Sequence, residues 1–268
     1  MAKPLIKVNI DPAVRERRLQ ELLAGTSPVQ SLPRGPFSIE RLDDRYVLHS
    51  LPKPFTDDLY TLELSRELLD FTTAHALSDF VGKRVLRSAS GQVWDLLSCP
   101  DYFTIMCSLE ENKLTIGIEE MVAEVSGLLL SDFKLAAWMT TSSVVRYNGT
   151  TTRGASSDIV VHEYGTPSAA ARETTIIGPR GYAGPGRRQE SELYALTGIR
   201  DINRIVRAVK FIGDVETYLE RLEERPINEI ERPVMLGIEA DPHRFKLRVA
   251  NIHESGYARG VVVRDDSV

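Results

Sequence analysis

Cysteine is scarce in this chain. Cys99 and Cys107 stand alone in 268 residues, too few for a disulfide framework, and their spacing fits no zinc pattern. They suit a reducing compartment and read as buried packing residues beside an aromatic, apolar segment. Long apolar runs are missing as well. Gly127 to Leu130 falls far short of the roughly 20 residues that span a bilayer. The opening MAKPLIKVNIDP turns polar too soon for a secretory leader. No membrane partner is expected, and the Asn148-Gly149-Thr150 sequon is expected to stay idle. The predicted location is the cytoplasm, or a particle such as a virion assembled there. An excess of positive charge is also lacking. The formal net charge is -5, so any nucleic-acid binding has to come from a local patch.

Local signals divide the chain into regions. Asp11 as a cap, Pro12 in the first turn and Gly25 as a stop predict a helix with Val14, Leu19, Leu22 and Leu23 as its apolar stripe. The proline-rich TSPVQSLPRGPF reads as an extended connector. SIERL, then a pair of aspartates, then RYVLHS predict a hairpin. Leu62, Leu68, Leu69, Ala76, Leu77 and Phe80 recur at three- and four-residue steps, so a helix is expected across 56–81. A shorter one is expected across 92–98. YFTIMCSL and KLTIGIE read as two strands around a turn at 110–112. A helix follows over 119–139, with Ser131 as a possible new cap.

Residues 140–188 are small, polar and poor in periodicity, interrupted by the brief strand DIVVHEY. They are expected to form an extended arm, since long loops inside compact domains tend to be functional or disordered. After the arm, QESELYAL and, past an interruption at Gly198, IRDINRIVRAVKFIGDVETYLERLEERP predict helices, broken near Gly213-Asp214 and ended by Pro226. PVMLGIEA, RFKLRVANI and GVVVRD then predict an antiparallel meander, with a turn at Asp241-Pro242. The expected class is α+β, with a C-terminal antiparallel sheet and a long central arm. The expected regions are 1–139, 140–188 and 189–268.

The arm carries the most unusual composition, GPRGYAGPGRRQESEL from Gly178. Gly181 and Gly186 have phosphate-loop spacing. Arg187 and Arg188 stand where a lysine and a magnesium-binding hydroxyl are needed, however, and Pro185 removes a backbone N–H from the cradle. A dinucleotide fingerprint fails too, because no third glycine follows Gly184 and Gly186. The open backbone of Gly181, Tyr182, Gly184, Pro185, Gly186, Arg187 and Arg188 suits a contact laid along a neighbour.

Catalytic sets do not assemble from the sequence. His75 and Asp79 would share a helix face, yet two ligands make no metal site. His162-Glu163 and His253-Glu254 are adjacent, so on strands they point apart. No serine lies in a nucleophile elbow. No cofactor, metal or catalytic residue is assigned. Charge is more telling. Arg180, Arg187, Arg188, Arg200, Arg204, Arg207 and Lys210 form a basic block, with Arg200, Arg204 and Arg207 spaced to line one helix face. Asp214, Glu216, Glu220, Glu223, Glu224, Glu229 and Glu231 form an acidic block behind it.

Three functions follow, in this order. The first is a non-enzymatic structural subunit of a large symmetric assembly, for which a virus or bacteriophage particle (capsid, neck, tail or baseplate) is the usual setting. Its partners are copies of itself or other subunits, met through the arm and through Arg200, Arg204 and Arg207. The second is a nucleic-acid-binding protein using Arg187, Arg188, Arg200, Arg204 and Arg207. Few aromatics stand near that stripe to stack bases. The third is an enzyme holding a phosphate-bearing ligand at 178–188.

Overall fold

The computed structural model describes residues 36–56, 58–70, 86–87, 93–134, 138–147, 158–162, 172–176, 182–183, 190–220, 227–239, 244–249 and 256–265. Contacts divide the chain into two units, 1–35 and 36–268. The predicted N-terminal helix and its proline connector lie outside the described residues, and the second unit carries everything below.

That unit is α+β. Its strands are β1 (Ser38–Arg41), β2 (Arg45–Pro52), β3 (Leu59–Asp70), β4 (Leu86–Arg87), β5 (Val93–Leu96), β6 (Trp138–Tyr147), β7 (Asp158–His162), β8 (Arg172–Ile176), β9 (Tyr182–Ala183), β10 (Glu216–Glu220), β11 (Ile230–Glu239), β12 (Arg244–Val249) and β13 (Gly256–Asp265). The helices are α1 (Cys99–Asn112), α2 (Glu119–Phe133), α3 (Glu190–Thr197) and α4 (Ile202–Gly213). The main path of the sheet runs β1-β2-β3-β13-β6-β11-β12-β10-β9. The hairpin β7–β8 branches from β6, and β4–β5 from β13.

The expected C-terminal antiparallel sheet is therefore corrected. The sheet takes strands from the whole unit, and it is mixed: β12 runs parallel to β10, and β13 runs parallel to β6 where they meet. The predicted hairpin at 38–50 is present. The predicted terminal meander is only partly so. β11 and β12 pair antiparallel, but β13 inserts between β3 and β6 in the middle of the sheet.

Four helix and strand assignments change for physical reasons. Residues 59–70 form β3, not a helix. Leu62 and Leu64 point into the core while Thr61, Glu63 and Ser65 on the opposite side are buried as well. A strand covered on both faces loses its two-residue alternation. Residues 93–96 are likewise a strand, β5. Residues 99–112 form α1, where a strand was expected. Ser98 accepts a hydrogen bond from the Asp101 N–H and Pro100 sits in the first turn, a strong helix start. Every residue from Cys99 to Leu109 is buried, so the helix shows no polar face to read. The last change follows Gly213, where the predicted second helix is the strand β10. Asp214 adopts a left-handed backbone, φ 50°, and its N–H caps the Lys210 carbonyl.

The first residues expected in the arm, 140–147, belong to β6 instead. Thr140, Thr141, Ser142 and Ser143 are buried in β6, which runs between β13 and β11. Within the segment, β7 and β8 form a hairpin on β6, and β9 pairs with β10.

Aromatic contacts mark the centre of the core. Phe245 of β12 meets the edges of Phe133 from α2, at 5.0 Å between centroids, and of Phe103 from α1, at 6.0 Å. Met139, Val145 and Tyr147 of β6 join the same cluster.

Candidate functional site

The residues expected to bind a partner fall into two groups. Tyr182 and Ala183 form β9, with Tyr182 opposite Glu220 and Ala183 opposite Leu219. This piece of the arm thus adds a short strand to the edge of its own sheet. Gly181, Gly184, Pro185, Gly186, Arg187 and Arg188 lie outside the described residues, as do His75, Asp79, Glu163, His253 and Glu254.

The arginine stripe is described and is corrected in one respect. Arg200 is not on the helix, because Asp201 is the N-cap of α4 and accepts from the Asn203 N–H. Arg200 instead lies over the ring of Tyr194 in α3, 5.3 Å from its centroid. Arg204 donates two hydrogen bonds to the carboxylate of Glu111, at 2.6 and 2.8 Å. Arg207 lies 3.7 Å from Glu110. The partners of the stripe's helical residues are thus acids at the end of α1 in the same chain. Two residues of the acidic block are engaged similarly, since Glu231 and Glu229 sit 2.9 and 3.7 Å from Arg146.

Between α1 and α2 the chain makes a tip that the sequence did not mark as a site. Leu114 and Ile116 are 84% and 93% exposed there. The tip is held by its own hydrogen bonds. The Thr115 N–H donates to the Asn112 carbonyl at 3.0 Å and the Ile118 N–H to the Thr115 carbonyl at 3.3 Å. The Asn112 amide returns to the Ser108 carbonyl at 2.8 Å. Gly117 has φ +93°, a backbone that disfavours side chains, and its N–H donates to the Glu119 carboxylate at 2.6 Å. Lys113 reaches Glu110 at 3.0 Å and lies over the Phe211 ring. Two apolar side chains are thus presented to solvent on an ordered support. KLTIGIE was expected to be a strand because Leu114, Ile116 and Ile118 alternate with polar neighbours; in the fold Ile118 turns inward and the other two turn outward.

Polar chemistry in the interior faces inward. Extending the β6–β7 register by one residue sets Ser143 opposite His162. Ser143 Oγ lies 2.8 Å from His162 Nδ1, and His162 Nε2 lies 2.6 Å from the Ala195 carbonyl. A carbonyl can only accept, so Nε2 carries a proton; in the neutral ring Nδ1 then accepts from the Ser143 hydroxyl. The same hydroxyl oxygen accepts from the Cys99 N–H at 2.9 Å. Ser143 and His162 are both buried. This chain of bonds joins β6, β7, the start of α1 and the end of α3. A serine–histidine pair is also the core of many nucleophilic sites, but this one is enclosed, and its bonds act as a cross-link.

A second crossing is ionic. Arg259 of β13 and Asp132 of α2, both buried, pair through two bonds of 2.7 and 2.6 Å. The other terminal nitrogen of Arg259 donates to the carbonyls of Ser65 and Arg66 in β3. A third contact joins the Tyr60 hydroxyl to Asp101 at 2.7 Å. Burial pushes the Cys107 thiol up to about 12 and the Cys99 thiol higher still, which makes both poor nucleophiles at neutral pH. Among the described residues no group of three or more His, Cys, Asp or Glu side chains is placed to hold a metal, and no helix is long and apolar enough to cross a membrane.

No family model, characterised protein or solved structure gives a significant match to the chain.

Proposed function

We propose that the chain is a non-enzymatic structural subunit of a symmetric protein assembly, with other copies or other subunits as its partners. The observation that carries this reading is the tip at Leu114 and Ile116. Two large apolar side chains, almost fully exposed side by side on an ordered support, are the pattern of a contact site. Order before binding reduces the entropy lost on association. The interior supports the same reading, because its polar groups are used to tie elements together. A virus or phage particle is a natural setting for such a subunit, by analogy of design.

The test is native mass by light scattering at low and high salt, for the natural chain and for a Leu114→Asp/Ile116→Asp variant. The natural chain should form a discrete oligomer, and the variant should dissociate while keeping its secondary structure by circular dichroism, since both side chains are exposed. A chain that stays monomeric at tens of micromolar in both salts would remove the reading. An oligomer unaffected by the two substitutions would move the contact elsewhere on the molecule.

A further inference from the structure

Helix α2 turns a strip of its surface outward. Glu119, Glu120, Ala123, Gly127, Ser131 and the C-cap Lys134 are all exposed, whereas Val122, Val125, Leu129, Asp132 and Phe133 are buried. At about 100° per residue the last five of the exposed set fall within an arc of roughly 80°, with Glu119 about 40° beyond its edge. Their order is self-complementary about Gly127. Glu120 and Lys134 lie equally far before and after it, and so do Ala123 and Ser131. The charges at the two ends are opposite, and among the described residues neither Glu120 nor Lys134 has an ion-pair partner.

Resting on the assembly reading above, we propose that two copies of this chain pair through α2, antiparallel, about a two-fold axis passing by Gly127. In that arrangement Glu120 faces the partner's Lys134, and the pair occurs twice, as an isologous contact requires. A parallel arrangement would set Glu120 against the partner's Glu120, a like-charge contact that opposes binding. The middle of the strip suits close approach. A Cβ built on Gly127 meets nothing within 4 Å in the chain, and the flanking side chains are small, so two helices can approach to about 8 Å.

Two measurements on the full chain test the pairing. Gly127→Cys places a thiol at the axis, while the two natural thiols are buried. Mild oxidation should convert most of this variant to a disulfide-linked dimer, and should leave an Asn203→Cys control on the exposed face of α4 monomeric under denaturing conditions. Charge exchange is the second. Glu120→Lys and Lys134→Glu should each weaken the dimer about tenfold or more, and the double variant should recover it, because only an antiparallel self-contact restores both pairs when the signs are exchanged. No cross-link at Gly127, or no recovery in the double variant, overturns the α2 pairing. If the natural chain is nevertheless oligomeric, the assembly reading survives without it; if the natural chain is monomeric throughout, both fall.

Discussion

Two buried polar crossings tie helices to the sheet, with opposite chemistry. One is ionic, Asp132 with Arg259, joining α2 to β13 and β3. The other is neutral, running from the Cys99 N–H through Ser143 and His162 to the Ala195 carbonyl. The ionic crossing holds two full charges away from water, so each charge depends on the other. The neutral crossing shares its bonds among four elements, and each bond runs through a hydroxyl or a backbone group, not between two charges. The first should therefore fail abruptly when one member is removed, and the second should weaken by steps.

The largest expected effect comes from dividing the ionic pair. Arg259→Met leaves Asp132 buried and unpaired, and should cost about 3–5 kcal/mol in denaturant unfolding. The Arg259→Met/Asp132→Leu double variant should recover much of that loss. Failure to recover would mean that the hydrogen bonds of Arg259 to the β3 carbonyls matter more than the charge.

Alkali should lower the stability of the whole fold through its two buried thiols, one of them beside the neutral crossing. Cys99, at the start of that crossing, and Cys107 keep their protons in the fold, but in the unfolded chain they ionise from about pH 9. Above that pH the unfolded state binds fewer protons, so stability falls as pH rises. Each thiol contributes a slope of up to about 1.4 kcal/mol per pH unit, and for Cys107 it ends near pH 12, where the folded thiol ionises. Unfolding curves from pH 8 to 10.5 should show this slope, and a Cys99→Ala/Cys107→Ala variant should lose most of it.

Ser143→Ala comes next. It removes the acceptor of the Cys99 N–H and the donor to His162, for a loss of about 1–3 kcal/mol. Calorimetry should show one cooperative transition moved to lower temperature; a loss above that of Arg259→Met would reverse the comparison. The smallest effect is at the surface. Arg204→Ala breaks a partly exposed pair with Glu111 and should cost at most about 1 kcal/mol, less at high salt. The same variant bears on nucleic acid, since binding that falls steeply with it would restore the arginine-stripe reading.

The legible parts of this fold were the edges and the ends. SIERL and RYVLHS alternate around a pair of aspartates and form β1–β2, and the apolar steps at Ile205, Val209 and Ile212 mark α4, although its start at the Asp201 cap lies past the Arg200 that the sequence places on the helix. The centre was not legible. Elements covered on every side, such as α1 and β3, lose the periodicity that separates helix from strand. β6 was read as arm because Thr140, Thr141, Ser142 and Ser143 are polar. Their burial depends on distant partners, such as the Val234 carbonyl that accepts from the Thr141 hydroxyl. The Ser143–His162 contact needs a strand register, which local sequence does not reveal. The tip at Leu114 and Ile116 did leave a signal, two apolar residues beside Gly117, but that signal also fits a strand.

The position of β13 bears on how the chain is made. It fills the gap between β3 and β6, and the whole stretch from Asp70 to Gly256 separates it from β3 in sequence. At about 5–20 residues per second, a ribosome takes on the order of tens of seconds to add that stretch. Through that interval the nascent chain holds the inner edge of β3 unpaired, and that of β6 once it has been made, each a template for the wrong strand. The chain is thus most exposed to misassembly while it is still tethered, and its yield should rise with a chaperone that shields those edges.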